Sequence, residues 1–310
     1  MSADLRASAL EYLELRRAMG YRLDRHDAQI GQFLDYLEVR HSRSITVEHA
    51  LAWACLPGGG RSRWHAARLA AIRGFAAYVH AVHSADAELI PTGLIPSRVE
   101  HAVPYLYTAE QITDLIRQAM TLKPLVRGLT LATVIGLMAS TGIRIGEALS
   151  LDTTSFDASR AQLTVTGKYR KVRRLPIHSS TAAALANYLQ VSRRLVGPPQ
   201  DQALFLTLNA TRARAASVER AFRVVTTSCA LRVELGNKQP RLHDLRHTFA
   251  VNTLIDAHRD GVDVDARIAT LASYLGHVSP SSTYWYLTAS PELLDIVAQR
   301  VETHRRGYSS

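Results

Sequence analysis

Cysteine is nearly absent. Cys55 and Cys229 are the only two in 310 residues, and their separation suits neither a disulfide framework nor a cysteine zinc site. A reducing cytoplasm is therefore the expected setting. Long apolar runs are missing too: the longest, around Leu129–Ala139, is interrupted by Thr133 and Gly136 and falls short of the roughly 18 residues that a membrane span needs. No transmembrane helix is expected. The charged, helix-like start, Met1–Glu14, has no uninterrupted apolar core of the secretory-signal kind. His26, His41, His49, His65, His80, His83 and His101 are scattered without ligand-like grouping, so no metal site is expected. Strand-type alternation is absent from the first hundred residues.

What is present is a globular composition, 47% apolar and 21% charged, in a length that suits two domains. The net charge is +10, which favours a polyanionic partner, either nucleic acid or an anionic membrane surface. The excess is uneven. Residues 1–103 hold 12 basic and 11 acidic residues, whereas 104–310 hold 25 and 16.

Helical spacing recurs in Leu10, Leu13, Leu15, then in Ile30, Phe33, Leu34, Leu37, then in Leu69, Ile72, Phe75, Ala76, Val79, which predicts a small helical bundle. Thr46 and Ser62 are candidate N-caps, and Pro57–Gly60 is a break. Between Pro91 and Pro104 the chain has the composition of a connection. The expected division is a helical domain over 1–98, a linker over 99–107 and a second domain over 108–310. Thr108 and Gln111 predict a capping box, and a helix is expected over Val126–Ser140. Alternation at Gln162–Thr166 and Val172–Ile177 predicts two short strands around a basic tip. Helices are expected near 179–195, 217–230, 243–257, 264–273, 281–287 and 291–303.

Four local motifs occupy the basic half. They are Thr141-Gly142-Ile143-Arg144-Ile145-Gly146-Glu147-Ala148-Leu149, the Lys168 hairpin, His243-Asp244-Leu245-Arg246-His247-Thr248, and Leu275-Gly276-His277 followed by Tyr286. Lys168 lies 24 residues after Arg144, Arg246 three after His243, and Tyr286 nine after His277. In this order and spacing the set resembles the active site of the tyrosine recombinases, the phage-integrase-like enzymes, over roughly residues 108–303. One departure is the 31-residue gap from Arg246 to His277, whose surplus around Asp256–Asp265 reads as a surface loop.

The resemblance implies a mainly α fold with a small β-sheet: a helical N-terminal core-binding domain and a mixed α/β catalytic domain, closing on duplex DNA as a C-shaped clamp. It implies an enzyme that cleaves DNA through a 3′-phosphotyrosyl intermediate and rejoins it, without cofactor or metal. Attack on a phosphodiester builds negative charge on the non-bridging oxygens, which fixed cations stabilise. Arg144 and Arg246 fit that role, because each guanidinium donates two hydrogen bonds to phosphate. Tyr286 is the expected nucleophile, His243 the proton acceptor, Lys168 the general acid to the 5′-oxygen, and His277 a donor to the phosphate. Glu147 is expected to support the site.

Several of these assignments have a competitor. Arg144 taken singly is a solvated charge at a helix start. Arg170, Lys171, Arg173 and Arg174 rival Lys168, and a basic hairpin suits DNA backbone contact without catalysis; Arg170, Lys171 and Arg173 are taken as DNA-binding. Arg61, Arg63, Arg68 and Arg73 are either a DNA-facing surface or a solvated face. Tyr284 rivals Tyr286. Leu293, Leu294, Ile296, Val297 and Val301 outline an amphipathic helix that packs on its own domain or docks on a neighbouring protomer in a tetramer. The rival functions are a type IB topoisomerase and a non-catalytic DNA-binding regulator. The expected setting is a prokaryotic mobile element, in the cytoplasm on the nucleoid.

Overall fold

Local capping chemistry starts several of the helices. In the computed structural model, which describes residues 4–21, 23–56, 58, 62–83, 86–96, 104–167, 171–231 and 239–276, Asp4 accepts the Arg6 N–H ahead of α1 (Leu5–Ala18). Thr46 does the same for His49 ahead of α3 (Val47–Cys55). Ser62 is instead the first residue of α4 (Ser62–Val82), and its hydroxyl donates to the Pro96 carbonyl.

The chain forms two compact units, Met1–His101 and Ala102–Ser310. The first holds α1, α2 (Asp24–Val39), α3 and α4 around Phe33, Leu37, Ile45, Trp53, Leu69, Ile72 and Phe75. The spacing in α2 and α4 is realised in full, whereas in α1 only Leu13 is buried. Leu10 and Leu15 are 64% and 51% exposed, and Ser8, Ala9 and Tyr12 take the inward face instead, since i and i+4, not i+2, share a helix face.

In the second unit, Thr108 and Gln111 exchange the two expected capping-box hydrogen bonds (3.0 and 3.2 Å) and open α5 (Ala109–Ala119). The apolar α6 (Leu125–Thr141) packs against α5, against α8 (Ser179–Val196) and against α10 (Leu242–Arg259), and its buried residues are the centre of the core. α7 (Ile145–Leu149) and a short 3-10 turn lead to an antiparallel sheet of order β1-β2-β3 (Phe156–Asp157, Gln162–Thr166, Val172–Pro176). The edge strand β1, only two residues long, is too short for alternation to mark it in the sequence. α9 (Ala215–Ser228) and α11 (Val264–Leu275) complete the unit.

The stretch expected to be a surface loop near Asp256–Asp265 is mostly helical. α10 runs to Arg259 and α11 starts at Val264, because Val251, Leu254 and Ile255 bury against Ile268 and Leu271 and draw the two helices together. Gly261, at φ 68°, makes the turn. Among the described residues no helix is long and apolar enough to cross a membrane. The helices expected at 281–287 and 291–303 lie outside the described residues.

Candidate active site

Gly142 ends α6 in the left-handed conformation (φ 61°). Arg144 then occupies the N-cap position of α7, where its backbone N–H donates to Glu147 Oε2 and its Nη1 to Oε1, both at 3.0 Å. A carboxylate three residues into a helix is well placed to satisfy such an orphan donor. Glu147 is only 7% exposed. Burial pushes its pKa up, but the hydrogen bond from Arg173, the Arg144 backbone bond and both guanidinium charges outweigh it and hold the carboxylate below the ordinary glutamate range.

Arg246, on the second turn of α10, is 1% exposed. Its Nη1 donates to the Gly142 carbonyl at 2.6 Å and its Nη2 to the Leu275 carbonyl at 2.9 Å. Arg144 Nη1 reaches the same Leu275 carbonyl at 3.5 Å. The two expected phosphate-clamping arginines are thus brought together at the C-terminal end of α11. Asp244 fixes the start of α10 by accepting from the Arg241 backbone N–H (2.9 Å) and from Arg241 Nη2 (2.7 Å).

His243 is exposed on the first turn of α10, with its ring edge-on to that of His247 at 4.9 Å between centroids. Desolvation by the protein beneath it and the adjacent Arg246 charge hold its imidazole below the ordinary histidine value, so the neutral form, the one able to accept a proton, is favoured.

The hairpin ladder is closed by Gly167 N–H donating to the Lys171 carbonyl at 2.8 Å, and Lys171 is exposed. Arg173 differs from its expected DNA-facing role. It pairs across the sheet with Val165, on the face that buries Leu163 and Leu175, and its guanidinium donates to both oxygens of Glu147 (Nη1 to Oε1 3.2 Å, Nη2 to Oε2 2.9 Å) and to the Tyr274 carbonyl (Nε, 3.0 Å). The signal was in the sequence: Arg173 is two residues before Leu175 and four before Ile177, so it shares their face.

Arg68 likewise departs from the DNA-facing or solvated surface expected of it. It is buried, its guanidinium lies 3.8 Å from the ring centroid of Trp53, and its Nη2 donates to the Trp53 carbonyl. The apolar face of α4 extends to it. Arg73 is half-buried and Arg63 is exposed. Lys168, His277 and Tyr286, with Arg61, Arg170 and the rival Tyr284, lie outside the described residues.

The Phage integrase family profile matches residues 106–292. The chain is 35% identical to the putative integrase/recombinase y4rB of Sinorhizobium fredii, over 96% of both chains. It is 28% identical to a tyrosine recombinase XerC of Herpetosiphon aurantiacus, over 91% of this chain and 89% of the relative. The fold resembles that of the XerH site-specific recombinase bound to palindromic difH substrate (TM-score 0.65, 18% identity, 89% of this chain and 79% of that one). It also resembles the Tn1549 transposon integrase in complex with transposon right end DNA (TM-score 0.65, 17% identity, 96% and 98%).

The chain belongs to the phage integrase family, the tyrosine recombinases. It is a site-specific DNA recombinase, an enzyme that cleaves and rejoins DNA strands; a topoisomerase or a non-catalytic regulator is not favoured.

Proposed function

We propose that the chain recombines duplex DNA of a mobile element, with Arg144 and Arg246 clamping the scissile phosphate and Tyr286 attacking it. The observation that supports this most is the convergence of Arg144 and Arg246 on the Leu275 carbonyl, two residues before His277. Arg144 and Arg173 both pair with Glu147, and Arg246 meets Arg144 at the Leu275 carbonyl, so these four side chains carry two more positive than negative charges, the sign that a pentavalent phosphorane requires. His243 takes the phenolic proton and Lys168 protonates the departing 5′-oxygen. His277 donates to a non-bridging oxygen. The product is a 3′-phosphotyrosyl link and a free 5′-hydroxyl, and the stored bond energy lets a second strand's hydroxyl reverse the reaction.

The stronger similarity to a putative integrase/recombinase than to XerC favours a mobile-element enzyme. A structural neighbour is a lambda integrase tetramer bound to a Holliday junction. We place this chain in a similar assembly, with the segment after Pro291 docked on a neighbouring protomer.

The test uses a duplex that the chain selects from a randomised pool, rebuilt with a bridging phosphorothiolate at each candidate scissile position. A covalent adduct on denaturing gels with the parent and with Tyr284→Phe, lost in Tyr286→Phe, is the expected result. Absence of any adduct on a duplex the chain demonstrably binds overturns the catalytic assignment.

A further inference from the structure

Glu147 poses an electrostatic problem. A carboxylate this buried is costly to hold ionised unless paired, and the more fully Glu147 engages the Arg144 guanidinium, the less of its charge and of its donor fork is left for a phosphate. Arg173 resolves the conflict. It binds both carboxylate oxygens, at 3.2 and 2.9 Å, while Arg144 reaches one of them through its side chain. Arg173 is also the more enclosed of the two, with 16% of its side chain exposed against 31% for Arg144.

The pocket around Arg173 is shaped for a guanidinium. A Cβ at Gly276 would lie 3.0 Å from Arg173 Nη1, and one at Gly167 would lie 3.2 Å from it. All three guanidinium nitrogens are in use, the third on the Tyr274 carbonyl. Arg144, in contrast, makes no hydrogen bond through Nη2 among the described residues.

We propose that Arg173 is a positioning residue that carries the charge of Glu147, so that Arg144 is free to turn its guanidinium onto the scissile phosphate. In doing so it ties β3 to the end of α11 and so fixes the base of the hairpin against the segment that leads to His277. This rests on the assignment of Arg144 to the phosphate.

The experiment is a single-turnover cleavage assay on the selected phosphorothiolate duplex, with DNA affinity and thermal unfolding measured alongside. The proteins are the parent, Arg144→Ala, Arg173→Met, Arg173→Lys and the double variant Glu147→Gln/Arg173→Met. In Arg173→Met, Glu147 holds Arg144 in place, so cleavage falls about tenfold or more while DNA affinity stays within about threefold. Removing the unpaired carboxylate in the double variant restores most of the rate, and Arg173→Lys restores part of it. A purely structural Arg173 predicts the opposite, a double variant no faster than Arg173→Met, and that result overturns the proposal. So does an Arg173→Met variant that loses DNA affinity but cleaves bound DNA at the parent rate. If Arg144→Ala itself cleaves like the parent, it is the phosphate clamp that fails; an inactive Arg144→Ala beside a fully active Arg173→Met sinks the positioning role alone.

Discussion

Arg246 Nη1 donates to the carbonyl of Gly142 at 2.6 Å, so the buried arginine of α10 is held by the residue that ends α6. Gly142 sits at φ 61°, and a Cβ there would lie 2.5 Å from Phe249 Cδ1 and 2.9 Å from Leu275 Cδ2. Gly142→Ala therefore combines a left-handed backbone penalty of about 1–2 kcal/mol with a steric clash. The expected outcome is a lower thermal midpoint together with slower cleavage below that midpoint. An unchanged midpoint would show that α6, α10 and α11 can separate without cost.

Arg246→Lys keeps the charge but cannot span the Gly142 and Leu275 carbonyls with one planar fork. If Arg246 stabilises the transition state, single-turnover cleavage falls by about 10²–10³-fold, with duplex binding much less affected. A loss confined to binding would make Arg246 a DNA-anchoring residue.

The pH dependence follows from the depressed pKa of His243. Because the unfolded chain binds the proton more readily than the folded one, this group lowers stability as pH falls from about 6.5, the unfolded histidine value, towards its lower folded value. As proton acceptor it must be neutral, so the acid limb of the cleavage profile lies below about 6.5 and disappears in His243→Ala. A limb of unchanged midpoint in that variant would assign it to another group.

The arginines of α4 should divide into two kinds. Arg68→Ala removes a cation held against Trp53 and a hydrogen bond to its carbonyl, and should lower stability by about 1–3 kcal/mol without changing the salt dependence of DNA binding. Arg63, which is exposed, should show the reverse if it meets a phosphate: parent-like stability, and a slope of log K against log salt reduced by about 1 when it is replaced by Ala. Equal salt slopes for Arg63→Ala and the parent would leave it a solvated charge.

Much of this is legible in the sequence because it is local. A capping box depends on four consecutive residues, and Thr108 and Gln111 form it as their types require. The faces of α2 and α4 follow from a 3.6-residue period, and β2 and β3 from alternation. The family was legible because its motifs are short and ordered along the chain, and Gly142 before Arg144 needs only the turn between α6 and α7.

The tertiary structure alone decided how the charges are used. A side chain's polarity sets its cost of burial but not its partner, and Arg63, Arg68, Arg144, Arg173 and Arg246 are the same residue type in five different environments. Arg68 is stacked on tryptophan, Arg246 is buried beneath two carbonyls, and Arg173 neutralises Glu147 from a strand 26 residues further along the chain. Pairing with partners that distant depends on the packing of whole elements, the register of Val165 on Arg173 and the approach of α11 to α6, and that packing is settled by the apolar core rather than by the charges it brings together.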